Sequence, residues 1–161
     1  MEFMNYYNLG SRSITTSFSD AVIQGIAPDR SLYFPERIPQ LAADLTKDIA
    51  DIPLIELALE AMTPFTAPDL SNEELQLILE NTLDFEFPLV EIGPHYSLEL
   101  FHGPTLAFKD VGARFMAQCL GIFSRRQKWN TKTTVLVATS GDTGGAVANG
   151  FLGVEGVDVV I

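Results

Sequence analysis

The chain has 161 residues, 47% of them hydrophobic, with 10 Lys/Arg against 21 Asp/Glu and a net charge of −11. That apolar share argues against disorder, and a chain of this length buries roughly 70% of its unfolded surface, enough for a real core. The acidic balance excludes nucleic acid as a natural partner, no apolar run approaches the ~20 residues of a membrane span, and the opening Met1-Glu-Phe-Met-Asn-Tyr-Tyr is no secretory signal, so the cytoplasm is the expected compartment.

In chain order, Ser19 to Gly25 reads as a helix with Ser17 or Ser19 as its cap. Leu32-Tyr-Phe34 reads as a short strand closed by Pro35. Gln40 to Ile49 and Leu54 to Met62 are amphipathic helices, each preceded by a proline that suits a helix start. Ser71-Asn-Glu-Glu74 is a capping box that opens a helix through Asn81, and Pro88 ends the helical region. Leu89 to Ile92 and Ser97 to Phe101 read as strands around a Gly93-Pro94 turn. Asp110 to Ser124 is a helix with an apolar stripe of Val111, Phe115, Cys119, Ile122 and Phe123. Thr134 to Ala138, Asp142 to Leu152 and Val157 to Ile161 form a strand, a helix and a strand, which implies a right-handed parallel crossover. The final β-branched run reads as a buried strand whose neighbours are not in this sequence, so the chain is expected to stop in mid-structure.

Two motifs carry chemistry. In Glu99-Leu-Phe-His-Gly-Pro-Thr-Leu-Ala-Phe-Lys109-Asp110, a single lysine lies between an apolar tripeptide and a helix start. Desolvation there favours the neutral amine, the nucleophile that captures aldehydes. An ordinary helix-start lysine is the alternative, although the helix dipole disfavours a cation at that end. Thr139-Ser-Gly-Asp-Thr-Gly-Gly145 is a Gly-rich turn between a strand and a helix. The amides around Gly141, with the Ser140 and Thr143 hydroxyls, suit an anion such as a carboxylate; a plain helix cap made by Ser140 or Asp142 is the alternative.

Residues 99–113, with Thr105, Ala107, Phe108, Lys109, Asp110 and Gly112 in register, resemble the cofactor-attachment segment of the pyridoxal-phosphate-dependent serine/threonine dehydratase superfamily. Within it, residues 102–110 resemble the threonine synthase family, as do Ser17 to Asp29 and Leu32-Tyr-Phe-Pro-Glu36 near the N-terminus. One departure is visible: Arg30-Ser31 stand where that family usually has glycine, which alters a surface turn. The resemblance implies an α/β chain: a small mixed domain (residues 1–92), then the opening of a tryptophan-synthase-β-like, fold type II domain with a parallel sheet (residues 93–161).

The same resemblance implies pyridoxal 5'-phosphate carried as a Schiff base on Lys109, with Phe108 and Asp142 beside the cofactor. It implies O-phosphohomoserine as substrate, held by Thr139, Ser140, Gly141 and Thr143 at its carboxylate, with His102 a candidate for its phosphate. Phosphate leaves the γ carbon, water adds at the β carbon, and threonine is formed. Ala107 and Phe108 are expected to line a water-poor pocket. A related pyridoxal-phosphate lyase or dehydratase, and a non-catalytic relative, remain alternatives. The 161 residues alone are expected to be inactive, and an unfinished sheet favours self-association.

Other patterns carry less. Residues 1–100 hold 4 Lys/Arg and 17 Asp/Glu, and residues 101–161 hold 6 and 4, so the first part reads as a solvated acidic face and the second as compatible with receiving phosphate. Gly141-Asp-Thr-Gly-Gly145 is similar to a serine-protease run, but threonine replaces the nucleophile and nothing marks His95 or His102 as a triad base. These two histidines and the sole Cys119 are too few for a metal site, and Cys119 on the apolar stripe reads as packing. Arg114 reads as a phosphate ligand or a solvated helix charge.

Overall fold

The computed structural model describes residues 3–47, 49–127, 133–139 and 141–161. The chain divides into two compact units, Met1–Leu79 and Glu80–Ile161.

The first unit is built on a three-stranded antiparallel sheet in the order β2-β1-β3, from Tyr6–Asn8 (β1), Thr15–Thr16 (β2) and Tyr33–Pro35 (β3). The strand read at Leu32 to Phe34 is present one residue later. β1 and β2 have no counterpart in the sequence reading, because two or three residues are too few to show an alternating pattern. Helix α1 (Phe18–Gln24) is capped by Ser17, whose side chain accepts from the Asp20 N–H at 3.1 Å. Tyr6 is buried, and its hydroxyl donates to the Phe65 carbonyl at 2.7 Å; burial first, and then the charge of Asp69, push its pKa up to about 12.

The Asp29-Arg30-Ser31 turn is where the sequence departs from the family it resembles. Arg30 sits at φ +66°, a left-handed conformation that glycine adopts without steric cost. The Asp29 carboxylate ties the turn by accepting from the Ser31 N–H (3.1 Å) and hydroxyl (2.7 Å).

The long helix expected from Gln40 is only Ala43–Lys47 (α2), followed by a 3-10 turn at Ile49–Asp51. Helix α3 (Leu54–Thr66) runs past its expected end and takes Pro64 into its last turn. Helix α4 (Asn72–Thr82) begins in the first unit and ends in the second. Its capping box forms as read: the Glu74 N–H donates to the Ser71 hydroxyl (3.2 Å), and the Ser71 N–H donates to the Glu74 carboxylate (2.9 Å). Leu75, Ile78 and Leu79 of α4 are buried, a spacing that puts one apolar stripe inward.

The second unit opens with the hairpin β4 (Leu89–Ile92) and β5 (His95–Leu98). β5 starts two residues earlier than read, because pairing of Ile92 with His95 follows directly from the tight Gly93-Pro94 turn. Helix α5 (Lys109–Arg126) is the longest element. Its buried stripe is Ala117, Cys119, Leu120, Gly121 and Phe123, while Val111, Phe115 and Ile122 are only half-buried. Desolvation raises the Cys119 thiol to about 12, which leaves it an inert packing group.

Strands β6 (Thr133–Leu136) and β7 (Val157–Val160) pair in parallel through helix α6 (Asp142–Gly150), as the sequence implied. The strand read at Val157 to Ile161 is present as β7. Inward and outward positions alternate along β7, and Val160 (54%) and Ile161 (60%) are exposed. With period-2 geometry, one face of a two-stranded ladder turns outward.

Helices α5 and α6 pack closely, and glycine permits it. A Cβ on Gly150 would lie 3.0 Å from the Ala113 carbonyl carbon and 3.1 Å from the Arg114 nitrogen, both rigid backbone. Gly150→Val is therefore expected to lower stability by roughly 1–3 kcal/mol through overpacking, read from the urea midpoint at unchanged slope.

Candidate functional site

The site lies in the second unit, where the first residues of two helices meet. Lys109 opens α5 and Asp142 opens α6, and Lys109 Nζ donates to Asp142 Oδ2 at 2.7 Å. The residues are 33 apart in sequence, so only the packing of α5 on α6 joins them.

Lys109 is fixed by the loop before it. Asp110 is fully buried, and its carboxylate accepts from the Thr105 N–H at 2.9 Å and the Thr105 hydroxyl at 2.5 Å. Gly103 allows this: a Cβ there would sit 2.6 Å from Asp110 Oδ2 and 3.0 Å from the Phe85 ring. The loop reverses at Leu106, which takes φ +56°, and the Leu106 N–H donates to the Gly103 carbonyl at 3.1 Å. Thr105 and Asp110 stand in the motif, yet sequence reasoning gave them no role. A Thr five residues before an Asp at the head of a helix was the available signal.

The sequence reading expected a dry, uncharged amine at Lys109. The Lys109 side chain is 30% exposed, it is ion-paired, and its ammonium lies 4.4 Å from the Phe108 ring centroid in a cation–π contact. Ala107 is buried as expected, but Phe108 is 60% exposed and lines no dry wall. Asp142 supplies a counter-charge that solvates the ammonium in place of water. The hydrogen bond from Lys109, then its charge, hold the Asp142 carboxyl below its ordinary range, and the Asp142 and Thr143 N–H groups act the same way.

Gly141 takes the cap position of α6, with no side-chain capping bond. Thr139 accepts from the Gly141 N–H at 3.3 Å, and its methyl carbon packs where a Gly144 Cβ would stand, 2.6 Å away. Around Gly141 and Gly145 a Cβ would meet nothing within 4 Å, so open space lies over this turn. Thr143 is half-buried in the first turn of α6. Ser140, the other hydroxyl singled out, lies outside the described residues.

His102 and Arg114 are already engaged. His102 Nε2 meets Glu99 Oε2 at 2.7 Å, and its ring stacks on Phe101 at 4.9 Å. Arg114 is neither a solvated charge nor a free phosphate ligand. It grips both oxygens of Asp84, at 2.5 and 2.8 Å. That hydrogen bonding, ahead of its charge, holds the Asp84 carboxyl below its ordinary range. Asp84 belongs to no motif, and only the fold brings it to α5.

Thr105→Val removes one donor from a buried carboxylate and is expected to cost ~1–3 kcal/mol, measured by denaturant unfolding. For Asp84 the folded pKa lies below the unfolded one, so its contribution is complete above the ordinary carboxylate range and fades as pH falls through the depressed value. In Arg114→Gln the Asp84 midpoint, followed by carboxyl NMR, is expected to rise toward the ordinary value. The stability difference from wild type should shrink as pH is lowered through that range.

Comparison with known proteins gives a consistent result. Residues 5–83 match the family model described as Threonine synthase N terminus. A threonine synthase of Haemophilus influenzae is 43% identical over 159 residues, which is 98% of this chain and 36% of that protein. The crystal structure of threonine synthase from Escherichia coli superposes with a TM-score of 0.87 at 35% identity, over 98% of this chain and 36% of that one. A structure described as PLP-bound threonine synthase from Brucella melitensis gives a TM-score of 0.88 at 33% identity, over 97% of this chain and 34% of that one. The chain thus spans about a third of the length of the relatives it matches. The mixed α/β fold, with its parallel strand pair, is that of the fold type II enzymes.

Proposed function

We propose that this chain, a threonine synthase sequence in its N-terminal domain and beyond, supplies the first third of such an enzyme together with its reactive lysine. The observation that carries the reading is the Lys109 amine at the head of α5, beside the open Gly141 to Gly145 turn. In this reading residues 1–92 form the N-terminal domain and residues 93–161 open the catalytic one.

The residues present fit pyridoxal 5'-phosphate at its aldehyde end. Lys109 offers a partly exposed amine, and the glycine turn leaves room for a flat ring. Lys109, Phe108 and Asp142 would hold the group. When bound, it supplies an electron sink for negative charge left on substrate carbon.

The chain's own residues do the rest. The Lys109 amine would take and return protons at the substrate carbons. Thr139, Ser140, Gly141 and Thr143 bind the carboxylate of O-phosphohomoserine. His102 has one ring nitrogen on Glu99, and its other is left for the substrate phosphate. The net conversion is O-phosphohomoserine and water to threonine and phosphate, a lyase reaction of amino-acid biosynthesis. A phosphorylated amino acid does not cross bilayers freely, so the reading puts the enzyme in the cytoplasm.

The test uses the full-length polypeptide that contains this chain. It is expected to release threonine and phosphate from O-phosphohomoserine and to gain visible absorbance with pyridoxal 5'-phosphate. Lys109→Ala is expected to lose that absorbance and to slow turnover roughly a thousandfold or more. Unchanged turnover in Lys109→Ala would end the proposal.

A further inference from the structure

The loop that carries Lys109 is seated from two sides, and the Thr105–Asp110 pair is only one of them. We propose that Phe85, in the segment between α4 and β4, is a positioning residue for Lys109: its ring backs Gly103 and keeps the 103–108 loop on the buried Asp110 carboxylate. The inference deepens the functional reading above and rests on Lys109 being the reacting amine.

Several contacts place the Phe85 ring, which is half-buried. Its edge lies against Gly103, where a Cβ would stand 3.0 Å from Phe85 Cε1 and 2.6 Å from Asp110 Oδ2. The glycine therefore faces both the ring and the carboxylate, with no room for a methyl group. The Arg114 guanidinium lies over the same ring, 5.8 Å from its centroid, and the Phe87 ring packs on it at 4.9 Å. The residue before it, Asp84, binds Arg114 through both carboxylate oxygens, so the backbone beside Phe85 is tied to α5.

The loop needs such a wall. Leu106 is 76% exposed and Phe108 60%, so neither of these large side chains anchors it in the core. Its seat consists of buried Ala107, the two bonds from Thr105 to Asp110, and the Leu106 N–H donating to the Gly103 carbonyl. The Asp110 N–H in turn donates to the Ala107 carbonyl at 3.0 Å, which joins the loop to the first turn of α5. Deleting the ring leaves a gap behind Gly103 and lets the loop leave this seat. Lys109 then starts its helix less sharply placed, and a misplacement of about 1 Å can cost about a hundredfold in rate. Phe85 acts through Gly103 and is not itself a catalytic residue.

The test compares wild type, Phe85→Ala and Phe85→Met in the full-length polypeptide that contains this chain, loaded with pyridoxal 5'-phosphate. Hydrogen exchange read by peptide mass spectrometry follows the Thr105, Leu106 and Asp110 amides, all hydrogen-bonded in this loop. The peptide over the buried Leu75 to Leu79 stretch of α4 checks the fold. Phe85→Ala is expected to speed exchange over residues 103–110 about tenfold or more, with the α4 peptide unchanged. It is also expected to lower kcat about tenfold to a hundredfold, with KM for O-phosphohomoserine within about threefold of wild type. Phe85→Met fills most of the same volume and is expected to recover most of both effects.

Loop exchange in Phe85→Ala equal to wild type would overturn the proposal, as would a rise in KM with kcat unchanged. Should Phe85→Ala alter the α4 peptide as well, the smaller truncation Phe85→Leu decides. Its loop exchange must exceed that of wild type with α4 unchanged, and no increase overturns the proposal. Absence of turnover in wild type, with the exchange difference intact, counts against the enzyme reading and not against the role of Phe85 in seating the loop.

Discussion

A buried carboxylate organises the loop and helix start around Lys109. Asp110 is sealed from solvent with both oxygens satisfied by one residue, Thr105, through its N–H and its hydroxyl. Burying a charge is costly unless it is hydrogen-bonded, so any other course of the 103–108 loop would leave that cost standing. The loop accepts a left-handed leucine at 106 and a crowded glycine at 103 as the consequence. Lys109, one residue before the anchor, therefore starts its helix at a determined place.

The second constraint is the close approach of α5 and α6. Small residues line the contact, with Gly150 against the Ala113-Arg114 backbone and Ala146 fully buried. Tight packing fixes the offset between the two helices, and with it the separation of their first residues. The 2.7 Å pair between Lys109 and Asp142 is a result of that packing and adds little to stability, since both groups are partly exposed.

Several elements were legible because their signals are local. Ser17 caps α1, the Ser71–Glu74 box forms in both directions, and the strand–helix–strand run from Thr133 to Val160 pairs in parallel. Capping and hairpin turns are settled within four or five residues, so the sequence carries all the information they need. β1 and β2 were invisible because their partners lie elsewhere in the chain. The helix expected from Gln40 contracted to α2 because a weak amphipathic pattern does not specify how far a helix propagates.

The sequence by itself singled out a lysine before a helix and a glycine turn after a strand, and the family whose motifs these resemble. It could not determine the charge environment of Lys109. The apolar neighbours at 106–108 suggested a dry amine, yet Leu106 and Phe108 turn outward and Asp142 arrives from another helix. Likewise, nothing local announced that Asp84 would occupy Arg114. Proton affinity and ion pairing depend on distances of a few ångströms between residues some thirty positions apart. Tertiary packing alone sets those distances, because a linear pattern records what a side chain is and not which charge it will meet.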